Sequence, residues 1–485
     1  MTQNWDVVIA GGGVIGASVA RELSRYDLKV ALLEANSDLA LGTSGANSGI
    51  VHAGYDAVPG TLMAELNVKG NAMYPELCRK LMIPFEPIGS LVLAFDDEDV
   101  KTIHALYDRG IANGVPSMEI LTADEVKAME PNVTETVKGA LYAKTAGVVS
   151  PYEATIAIAE NAAENGVSFF LSHPVSAVEK NEEGFVVTAA GETFPCKILI
   201  NCCGIHAHEL SQMAGGEAFP VTGRKGEYIL YDKNYGGYVS HVLFQPPSKM
   251  GKGILVTQTA EGNMLVGPSS VNVEDVDDTS TTQEGLDEVF ATARRSCPNL
   301  PAGGAITTFA GMRAVIGDDF IIQYSEKVDG LLQTAGICSP GLTAAPAIAQ
   351  KVAGLVGERL ELKEKENWKD TRDGIPPFNK LDWEARQALI EKDPAYARMV
   401  CRCETVTEGQ IVKALRSPIP VYTIDGVKRR CRAGMGRCQG SFCTPRVMEI
   451  IAREAGIPFE EVSKNGPDAK LITGYLKGAK EVSAE

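Results

Sequence analysis

The chain lacks the features of membrane-spanning, secreted and nucleic-acid-binding proteins. In its 485 residues no uncharged apolar run approaches the ~20 residues that a membrane helix needs. A secretory signal is not expected, because Asp6 and a glycine run come too early. Lys and Arg number 46 against 62 Asp and Glu, and the net charge of −16 argues against nucleic acid or an anionic membrane as a partner. We expect a cytoplasmic protein without a transmembrane segment, whose membrane association, if any, is peripheral and through a partner.

Histidine is scarce, with six residues, and the eleven cysteines are unevenly distributed. Six cysteines lie in apolar or small-residue contexts, where buried free thiols are usual. The others crowd into the last sixth of the chain, at Cys401, Cys403, Cys431, Cys438 and Cys443. In a cytoplasmic chain such crowding indicates a metal site rather than disulfides.

The stretch from Asp6 to Glu34 carries the strongest motif. A short apolar strand leads into Gly-Gly-Gly-Val-Ile-Gly, a helix, and a second apolar strand that ends on an acid. In a dinucleotide-binding turn the first glycine permits the turn, the second lets backbone approach a pyrophosphate, and the third lets helix and strand pack. The helix N-terminus favours phosphate, and the acid would bind a ribose hydroxyl and repel NADP. The predicted contacts are Gly11, Gly13, Val14, Ile15, Gly16 and Glu34. NAD and FAD stay open, as does an ordinary glycine-rich turn.

Small and hydroxyl-bearing residues dominate the next segment, Leu41–Tyr55. Such a segment can lay its backbone along a flat ligand, and a helix rich in Thr, Ser and Asn can donate to phosphate. Because it follows the Glu34 strand, we expect it beside the dinucleotide; a plain flexible loop is the alternative. The predicted contacts are Thr43, Ser44, Asn47 and Ser48.

Strand and helix patterns predict two interleaved domains followed by a small module. The predicted fold class is α/β, with a Rossmann-like dinucleotide-binding domain, a mixed α+β substrate domain and a small helical C-terminal module. The dinucleotide-binding domain is expected over residues 1–81, 148–220 and 329–358. The substrate domain is expected over 82–147 and 221–328. A linker at 359–397, the module at 398–456 and a tail at 457–485 complete the chain.

Four motifs together resemble the FAD-dependent D-amino-acid oxidase superfamily. They are the glycine fingerprint, the Thr-Ser-x-x-Asn-Ser-Gly-x-x-His-Ala-Gly segment, Gly-Met-Arg ending at Arg313, and Gly-Ile-Cys-Ser-Pro-Gly-Leu-Thr at 336–343. Within that superfamily they look most like glycerol-3-phosphate dehydrogenases and oxidases, with L-2-hydroxyglutarate dehydrogenases close behind. The resemblance implies FAD. It adds the expected flavin contacts Val175, Gly204, Ser339, Gly341, Leu342 and Thr343.

Cys401, Cys403, Cys438 and Cys443 are the predicted metal ligands. Their spacing is C-x-C, 34 residues, then C-x4-C, and four thiolates can hold zinc or a [2Fe–2S] cluster. Between residues 398 and 446 there are ten Lys and Arg against three acids, and this net +7 favours holding an added electron or docking an acidic partner. The module resembles the bacterioferritin-associated-ferredoxin type of [2Fe–2S] domain, and its fusion is similar to the large subunit of anaerobic glycerol-3-phosphate dehydrogenase. Structural zinc and an empty relic remain alternatives.

Oxidation of an alcohol needs a base for the hydroxyl proton and a cation for a distant anion. With the resemblance, His52 is the expected base and Arg313 the expected anion ligand; a structural loop histidine and a structural salt bridge are the alternatives. Further positive charge is available from Arg224, Lys225, Lys249 and Lys252.

The resemblance implies a dehydrogenase for a small anionic 2-hydroxy compound, foremost sn-glycerol 3-phosphate. Its electrons would pass from FAD through [2Fe–2S] to an acceptor subunit, a second flavoprotein or a quinone-linked protein. No second GxGxxG unit is present, so a separate NADH site is not expected. L-2-hydroxyglutarate, a secondary amino acid, and a non-catalytic electron-transfer role are the alternatives.

Overall fold

A computed structural model describes residues 4–247 and 253–474. The chain divides into two compact units, Met1–Gly374 and Ile375–Glu485. The strands of the first unit are β1 (Trp5–Ala10), β2 (Val30–Leu33), β3 (Ile50–Val51), β4 (Phe85–Glu86), β5 (Ser90–Ala94), β6 (Met118–Thr122), β7 (Gly139–Ala143), β8 (Gly147–Val149), β9 (Ser168–Phe170), β10 (Val175–Asn181), β11 (Gly184–Ala189), β12 (Glu192–Asn201), β13 (Thr222–Tyr231), β14 (Val242–Phe244), β15 (Leu255–Gln258), β16 (Met264–Gly267), β17 (Val271–Val273), β18 (Ala305–Val315), β19 (Ile321–Tyr324) and β20 (Leu331–Ala335). Its helices are α1 (Val14–Leu23), α2 (Leu62–Leu81), α3 (Asp97–Ala112), α4 (Ala123–Met129), α5 (Pro151–Glu164), α6 (Ala207–Met213), α7 (Gln283–Ser296) and α8 (Gly341–Gly357).

The first sheet has a parallel core that positions the site. Strands β9, β2, β1, β12 and β20 lie side by side and run parallel. Strand β19 pairs antiparallel with β20, and β11 pairs antiparallel with the first half of β12. Because parallel strands end at the same edge, the segments after β1, β2, β12 and β20 emerge together, where doubly wound sheets bind ligands. This confirms the predicted Rossmann-like domain.

The second sheet is largely antiparallel, in the order β17-β13-β16-β15-β14-β5-β7-β6, with β18 pairing with β13. Its central strand β5 is buried on both faces. Leu91 and Leu93 pack in one apolar core with α7, whereas Val92 and Ala94 pack in another with α3. Since successive side chains of a strand point to opposite faces, this near-continuous apolar run lies between two layers of structure. A small third sheet joins β3, β8 and β4.

Helical sequence patterns near residues 60–80, 97–114, 151–165 and 283–295 predict four helices, and the structure has them as α2, α3, α5 and α7. The segment predicted as a linker, 359–397, is divided between the two units in the structure. Its first part, to Gly374, belongs to the first unit, and the rest belongs to the second. Asn161 on α5 donates to the carbonyls of Lys369 and Thr371, and Trp368 donates to Ser24. These bonds fix the position of a linker segment that forms no helix or strand of its own.

The second unit is small and mainly helical. Its elements are α9 (Trp383–Lys392), β21 (Met399–Cys401), β22 (Val406–Thr407), α10 (Glu408–Leu415), α11 (Ile424–Cys431) and α12 (Thr444–Ala455). Its core includes Ile411, Val427, Ile450 and Ile451. Val462 is also buried there, within the segment predicted to be a tail. Residues 475–485 of that tail lie outside the described residues.

Glu408, at the start of α10, is the common hydrogen-bond acceptor of three arginines of the second unit. Its side chain is buried and accepts bonds from Arg398 and Arg453 at 2.8 Å and from Arg446 at 3.3 Å. The Arg398 and Arg453 guanidiniums lower the pKa of Glu408 to about 2. The carboxylate also lies at a helix N-terminus, where negative charge is favoured. In the described residues, no helix is both long and apolar enough to cross a membrane.

Candidate active site and cluster site

A cavity of about 1710 Å³ opens at the carboxyl edge of the first sheet and extends to β13 and β18. It exceeds the roughly 300–1,000 Å³ of ordinary small-ligand pockets, so a dinucleotide and a substrate can share it. Sixteen of the predicted site residues line it: Gly11, Gly13, Val14, Ile15, Glu34, Thr43, Ser44, Asn47, Ser48, His52, Val175, Gly204, Arg313, Ser339, Gly341 and Leu342. Gly16 and Thr343 lie behind its wall.

The glycine turn has the geometry that dinucleotide binding requires. Gly11 has φ +109°, and a Cβ there would meet the carbonyl of Cys202 on the neighbouring strand end. A Cβ on Gly16 would meet the Gly11 carbonyl, so this glycine allows α1 to pack on β1. Only a residue without a side chain fits either position. The backbone is therefore free to approach a pyrophosphate at the start of α1, where Val14 also donates to Ser44 Oγ at 2.9 Å.

Glu34 connects the end of β2 to the glycine turn. Its Oε2 accepts from the Gly12 N–H at 2.6 Å, and its Oε1 accepts from the backbone and side-chain nitrogens of Asn36 at 2.8 Å each. A carboxylate offers about four acceptor positions, so one remains at Oε2 among the described contacts. That position fits a ribose hydroxyl. The side chain is largely buried, which strengthens such a bond.

The hydroxyl-rich segment forms turns between Leu41 and Gly49, not the helix considered above. Thr43 Oγ1 donates to the Met312 carbonyl at 2.5 Å, which ties the segment to β18. Asn47 donates to the carbonyls of Thr43 and Ser44 and accepts from the Gly49 N–H. The side-chain bonds of Asn47 hold the turns in place, and the backbone faces the cavity.

His52 follows β3 and is held from three sides. Its N–H donates to Thr343 Oγ1 at 2.9 Å, and its carbonyl accepts from Asn71 at 3.1 Å. Its ring lies stacked on Phe244, with 5.8 Å between ring centroids, and its Nε2 lies 3.3 Å from Ser339 Oγ. The imidazole is therefore oriented at the cavity wall, as a proton acceptor must be.

Thr343 differs from its predicted role as a flavin contact. The side chain is fully buried, and Oγ1 donates to the Ile50 carbonyl at 3.3 Å while accepting from His52. It therefore fixes the His52 segment to α8. The start of α8 still faces the cavity through Gly341 and Leu342, and its positive dipole end would stabilise negative charge there.

Arg224 on β13 and Arg313 on β18 are direct partners across the two strands. Both line the cavity. Arg313 donates to the Ser269 carbonyl at 2.6 Å and Arg224 to Asn272 at 3.1 Å. Burial lowers the pKa of Arg313, and the charge of Arg224 lowers it further. In the described part of the chain, no carboxylate forms a salt bridge with either guanidinium.

The other predicted cations do not add to this pair. Lys225 is buried on the opposite face of β13 and donates to Asp278 at 2.9 Å, so its charge is already neutralised. Lys249 and Lys252 lie outside the described residues.

Three further residues that line the cavity were not predicted from the sequence. Phe244 stacks on His52, and Tyr228 stacks on Phe309 and lies 3.4 Å from Ser48 Oγ. His206 lies between Glu209 and Asp277; burial alone would lower its pKa, but the two carboxylates outweigh burial and raise it. Aromatic residues on strands usually indicate core, so the two aromatics carried no signal, whereas His206 was one of only six histidines.

The four predicted cysteines meet in the second unit. The sulfurs of Cys401 and Cys403 lie 3.8 Å apart, as do those of Cys403 and Cys438. Two thiolates on one tetrahedral metal with bonds of about 2.3 Å lie about 3.8 Å apart. A hydrogen bond from the Cys443 thiol, with backbone N–H groups of Gly434 and Glu404, lowers the pKa of Cys401 to about 5. The same contact raises the pKa of Cys443, and burial raises the pKa of Cys403, so Cys401 becomes a thiolate at its neighbours' expense. A bound metal would deprotonate its thiol ligands.

A binuclear cluster fits these thiols because each of its irons takes two protein ligands. Cys431 lies on α11, where its thiol donates to the Val427 carbonyl at 3.3 Å. The fifth cysteine is thus part of a helix and of the apolar core of the second unit.

We expect Glu34→Ala to weaken the binding of the FAD that the sequence resemblance implies. Charge-assisted hydrogen bonds contribute about 1.5–3 kcal/mol, so the Kd should rise about 10- to 150-fold. Titration of the FAD-free protein with FAD measures this. Glu182→Ala, on the exposed turn after β10, is the control. An unchanged Kd in Glu34→Ala would refute the ribose assignment.

Cys403→Ser should remove the cluster but keep the flavin. Anaerobically prepared parental protein should contain about two iron and two acid-labile sulfide per chain, and the variant neither. Cys431→Ser should keep both, because its thiol bonds within its own helix. Stoichiometric zinc without sulfide in the parental protein would contradict the iron–sulfur assignment.

Comparison with known proteins agrees with this geometry along the whole chain. A glycerol 3-phosphate dehydrogenase of Caloramator mitchellensis is 48% identical over 475 residues, which cover 98% of this chain and 99% of the relative. A glycerol 3-phosphate oxidase of Mycoplasma genitalium is 34% identical, over 79% of this chain and 100% of the relative. The dithionite-reduced L-alpha-glycerophosphate oxidase from Mycoplasma pneumoniae, solved with FAD bound, aligns with a TM-score of 0.73 at 31% identity, over 76% of this chain and 99% of that one.

Two family models match separate parts of the chain. Residues 6–355 match the FAD dependent oxidoreductase model, and residues 399–453 match the BFD-like [2Fe-2S] binding domain. The first match contains the glycine turn, His52 and Arg313, and the second contains the four cysteines. FAD and a [2Fe–2S] cluster are therefore the cofactors that the two sites hold. The chain belongs to the FAD dependent oxidoreductase family and carries a BFD-like [2Fe–2S] domain after its flavin-binding part.

Proposed function

We propose that this oxidoreductase is a dehydrogenase that converts sn-glycerol 3-phosphate to dihydroxyacetone phosphate and passes the electrons to a protein acceptor. The observation that carries the proposal is the Arg224–Arg313 pair in the same cavity as His52. The relatives named for glycerol 3-phosphate support the choice of substrate.

The arginine pair is a strong argument for an anionic substrate. Like charges directly opposite each other on antiparallel strands destabilise a sheet. Here the described residues supply no carboxylate to offset them. An anion between the two guanidiniums removes the repulsion and gains charge-assisted hydrogen bonds. A phosphate dianion compensates both charges at once, whereas a single carboxylate compensates one.

His52 supplies the proton acceptor at the other end of the substrate. Its backbone is bonded to α8 through Thr343, and its ring is stacked on Phe244, so its Nε2 is held at the cavity wall. In the proposed reaction His52 takes the hydroxyl proton of the substrate while the arginines hold the phosphate. FAD held at the glycine turn would supply a hydride acceptor for the substrate carbon, and a [2Fe–2S] cluster held by the four cysteines would supply a one-electron carrier toward an acceptor.

We also infer that the acceptor is a second protein, a flavoprotein or a quinone-linked subunit, and that the enzyme acts in the cytoplasm. A one-electron cluster is of use when electrons leave the flavin for a separate carrier. None of the eleven cysteines, all of which lie in the described residues, forms a disulfide, and this is typical of a reducing compartment.

Substitution of either arginine should lower kcat/KM for glycerol 3-phosphate. Arg313→Lys keeps the charge but loses the guanidinium fork, and Arg224→Gln removes a charge. A lost charge-assisted bond costs about 1.5–3 kcal/mol, so kcat/KM should fall about 10- to 150-fold, mainly through KM. Steady-state kinetics with an artificial dye acceptor measure this.

Lys225→Gln is the matched control for the arginine variants, because this neighbouring cation is already paired with Asp278. It should keep near-parental kinetics. If both arginine variants keep parental kcat/KM, the phosphate binds elsewhere. Rapid anaerobic flavin bleaching by L-2-hydroxyglutarate, and none by glycerol 3-phosphate, would overturn the substrate assignment.

His52→Ala should slow flavin reduction by about 10²–10⁴-fold, the contribution of a general base. FAD content should stay at the parental level. Stopped-flow reduction by glycerol 3-phosphate measures the rate, with His104→Ala, an exposed histidine on α3, as the control. Reduction of His52→Ala at the parental rate would show that another group takes the proton.

A further inference from the structure

Phe442 is exposed to solvent to an extent unusual for its type. Its exposed fraction is 87%, higher than for any other large apolar side chain that the structure describes. It is one of the four residues between the cluster ligands Cys438 and Cys443. An aromatic ring that stays in water does not stabilise the folded state, because its apolar surface remains hydrated. Phe442 therefore adds nothing to the core of the second unit.

The loop that carries Phe442 is held by hydrogen bonds on both sides of the ring. Ser441 Oγ donates to the Cys438 carbonyl at 2.7 Å, and Thr444 Oγ1 donates to the Gly440 carbonyl at 2.7 Å. The Gln439 N–H donates to the Gly436 carbonyl at 2.8 Å. The ring is thus presented on a fixed loop, and a partner that contacts it loses little conformational entropy.

Two exposed arginines are next to cluster ligands in sequence, as Phe442 is. Arg402 is exposed between the ligands Cys401 and Cys403, and Arg437 is exposed directly before Cys438. Arg402 forms no salt bridge within the described residues. The segment from 398 to 446 has a net charge of +7 in a chain whose total is −16. We call Arg402, Arg437 and Phe442 the cluster-loop surface.

We propose that the cluster-loop surface is the docking site of the electron acceptor, a protein with an acidic contact surface around an apolar pocket that takes Phe442. The inference rests on the proposed function. Interface hot spots are enriched in aromatic and arginine side chains. Complementary charge at the rim speeds encounter and orients the partner. All three residues neighbour cluster ligands in sequence, so a partner bound there lies close to the metal, and close approach is what electron transfer between proteins requires.

The alternative occupant is a second copy of this chain, whose acidic remainder could also meet a basic surface. An acidic acceptor is favoured because the surface surrounds the ligands of the electron-carrying group itself. Association of two copies would bury the cluster and keep an acceptor away from it. Loss of Phe442 should change the extract-linked rate if the surface binds an acceptor, and the oligomeric state if it binds a second copy. One set of variants therefore distinguishes the two occupants.

The test compares three full-length holoenzymes: the parental protein, Phe442→Ser and Arg402→Gln. Cell extract from the source organism lacking this chain supplies the native acceptor, and extract-linked oxidation of glycerol 3-phosphate is compared with dye-linked oxidation. Phe442→Ser should lower the extract-linked rate at least about tenfold, as a hot-spot loss does. Iron, sulfide and dye-linked rate should stay parental. Arg402→Gln should lower the extract-linked rate and weaken its dependence on salt.

Trp383→Ser is the matched control, because this ring is 74% exposed on α9 but lies outside the cysteine loops. It should leave the extract-linked rate unchanged. A parental extract-linked rate in Phe442→Ser overturns the docking site. So does a change from dimer to monomer on sedimentation with no change in that rate, which assigns the surface to self-association. Absence of dye-linked turnover in the parent would instead refute the proposed function.

Discussion

The convergence of parallel strand ends at one edge of the first sheet is the constraint on which the active site depends. The segments after β1, β2, β12 and β20 meet there because their strands are hydrogen-bonded in parallel register. The Cys202 carbonyl lies where a Cβ of Gly11 would be, so the neighbouring strand end itself demands glycine in the turn. The same glycine leaves backbone open for a pyrophosphate. Sheet packing and cofactor binding therefore impose the same residue.

Interleaving of the two sheets brings distant parts of the chain to one cavity. His52 lies after β3, its supports Thr343 and Phe244 come from α8 and β14, and the arginines come from β13 and β18. The chain crosses between the sheets several times, so the proposed base and cations are supported by several rigid elements rather than by one flexible loop. Such attachment keeps reacting groups oriented and lowers the entropic cost of the reaction.

The charged residues of this chain differ from one region to another in sign and in whether they are paired. The body is acidic, and the exposed arginines of the second unit concentrate around its cysteines. Several of them are neutralised inside the unit, as Glu408 shows with Arg398 and Arg453. Arg224 and Arg313 form no salt bridge with a carboxylate in the described residues, and for this reason we propose them as a ligand-binding pair. Lys225, one residue from Arg224, provides the contrast, since Asp278 already neutralises it.

The sequence by itself determined the glycine turn, the acid after β2 and the four cysteines, because each depends on local geometry or ligand chemistry readable from spacing. His52 and Arg313 became candidates through the family resemblance of the motifs that contain them, and their roles stay predictions. The tertiary structure alone decided which cations face the cavity. Arg224 and Lys225 are equivalent by sequence, yet the alternation of side chains along β13 sends one to the cavity and the other to Asp278. It also placed Thr343 behind His52 and Phe244 against its ring. Those contacts join residues almost 200 to 300 positions apart, a pairing that the tertiary fold creates and no local pattern encodes.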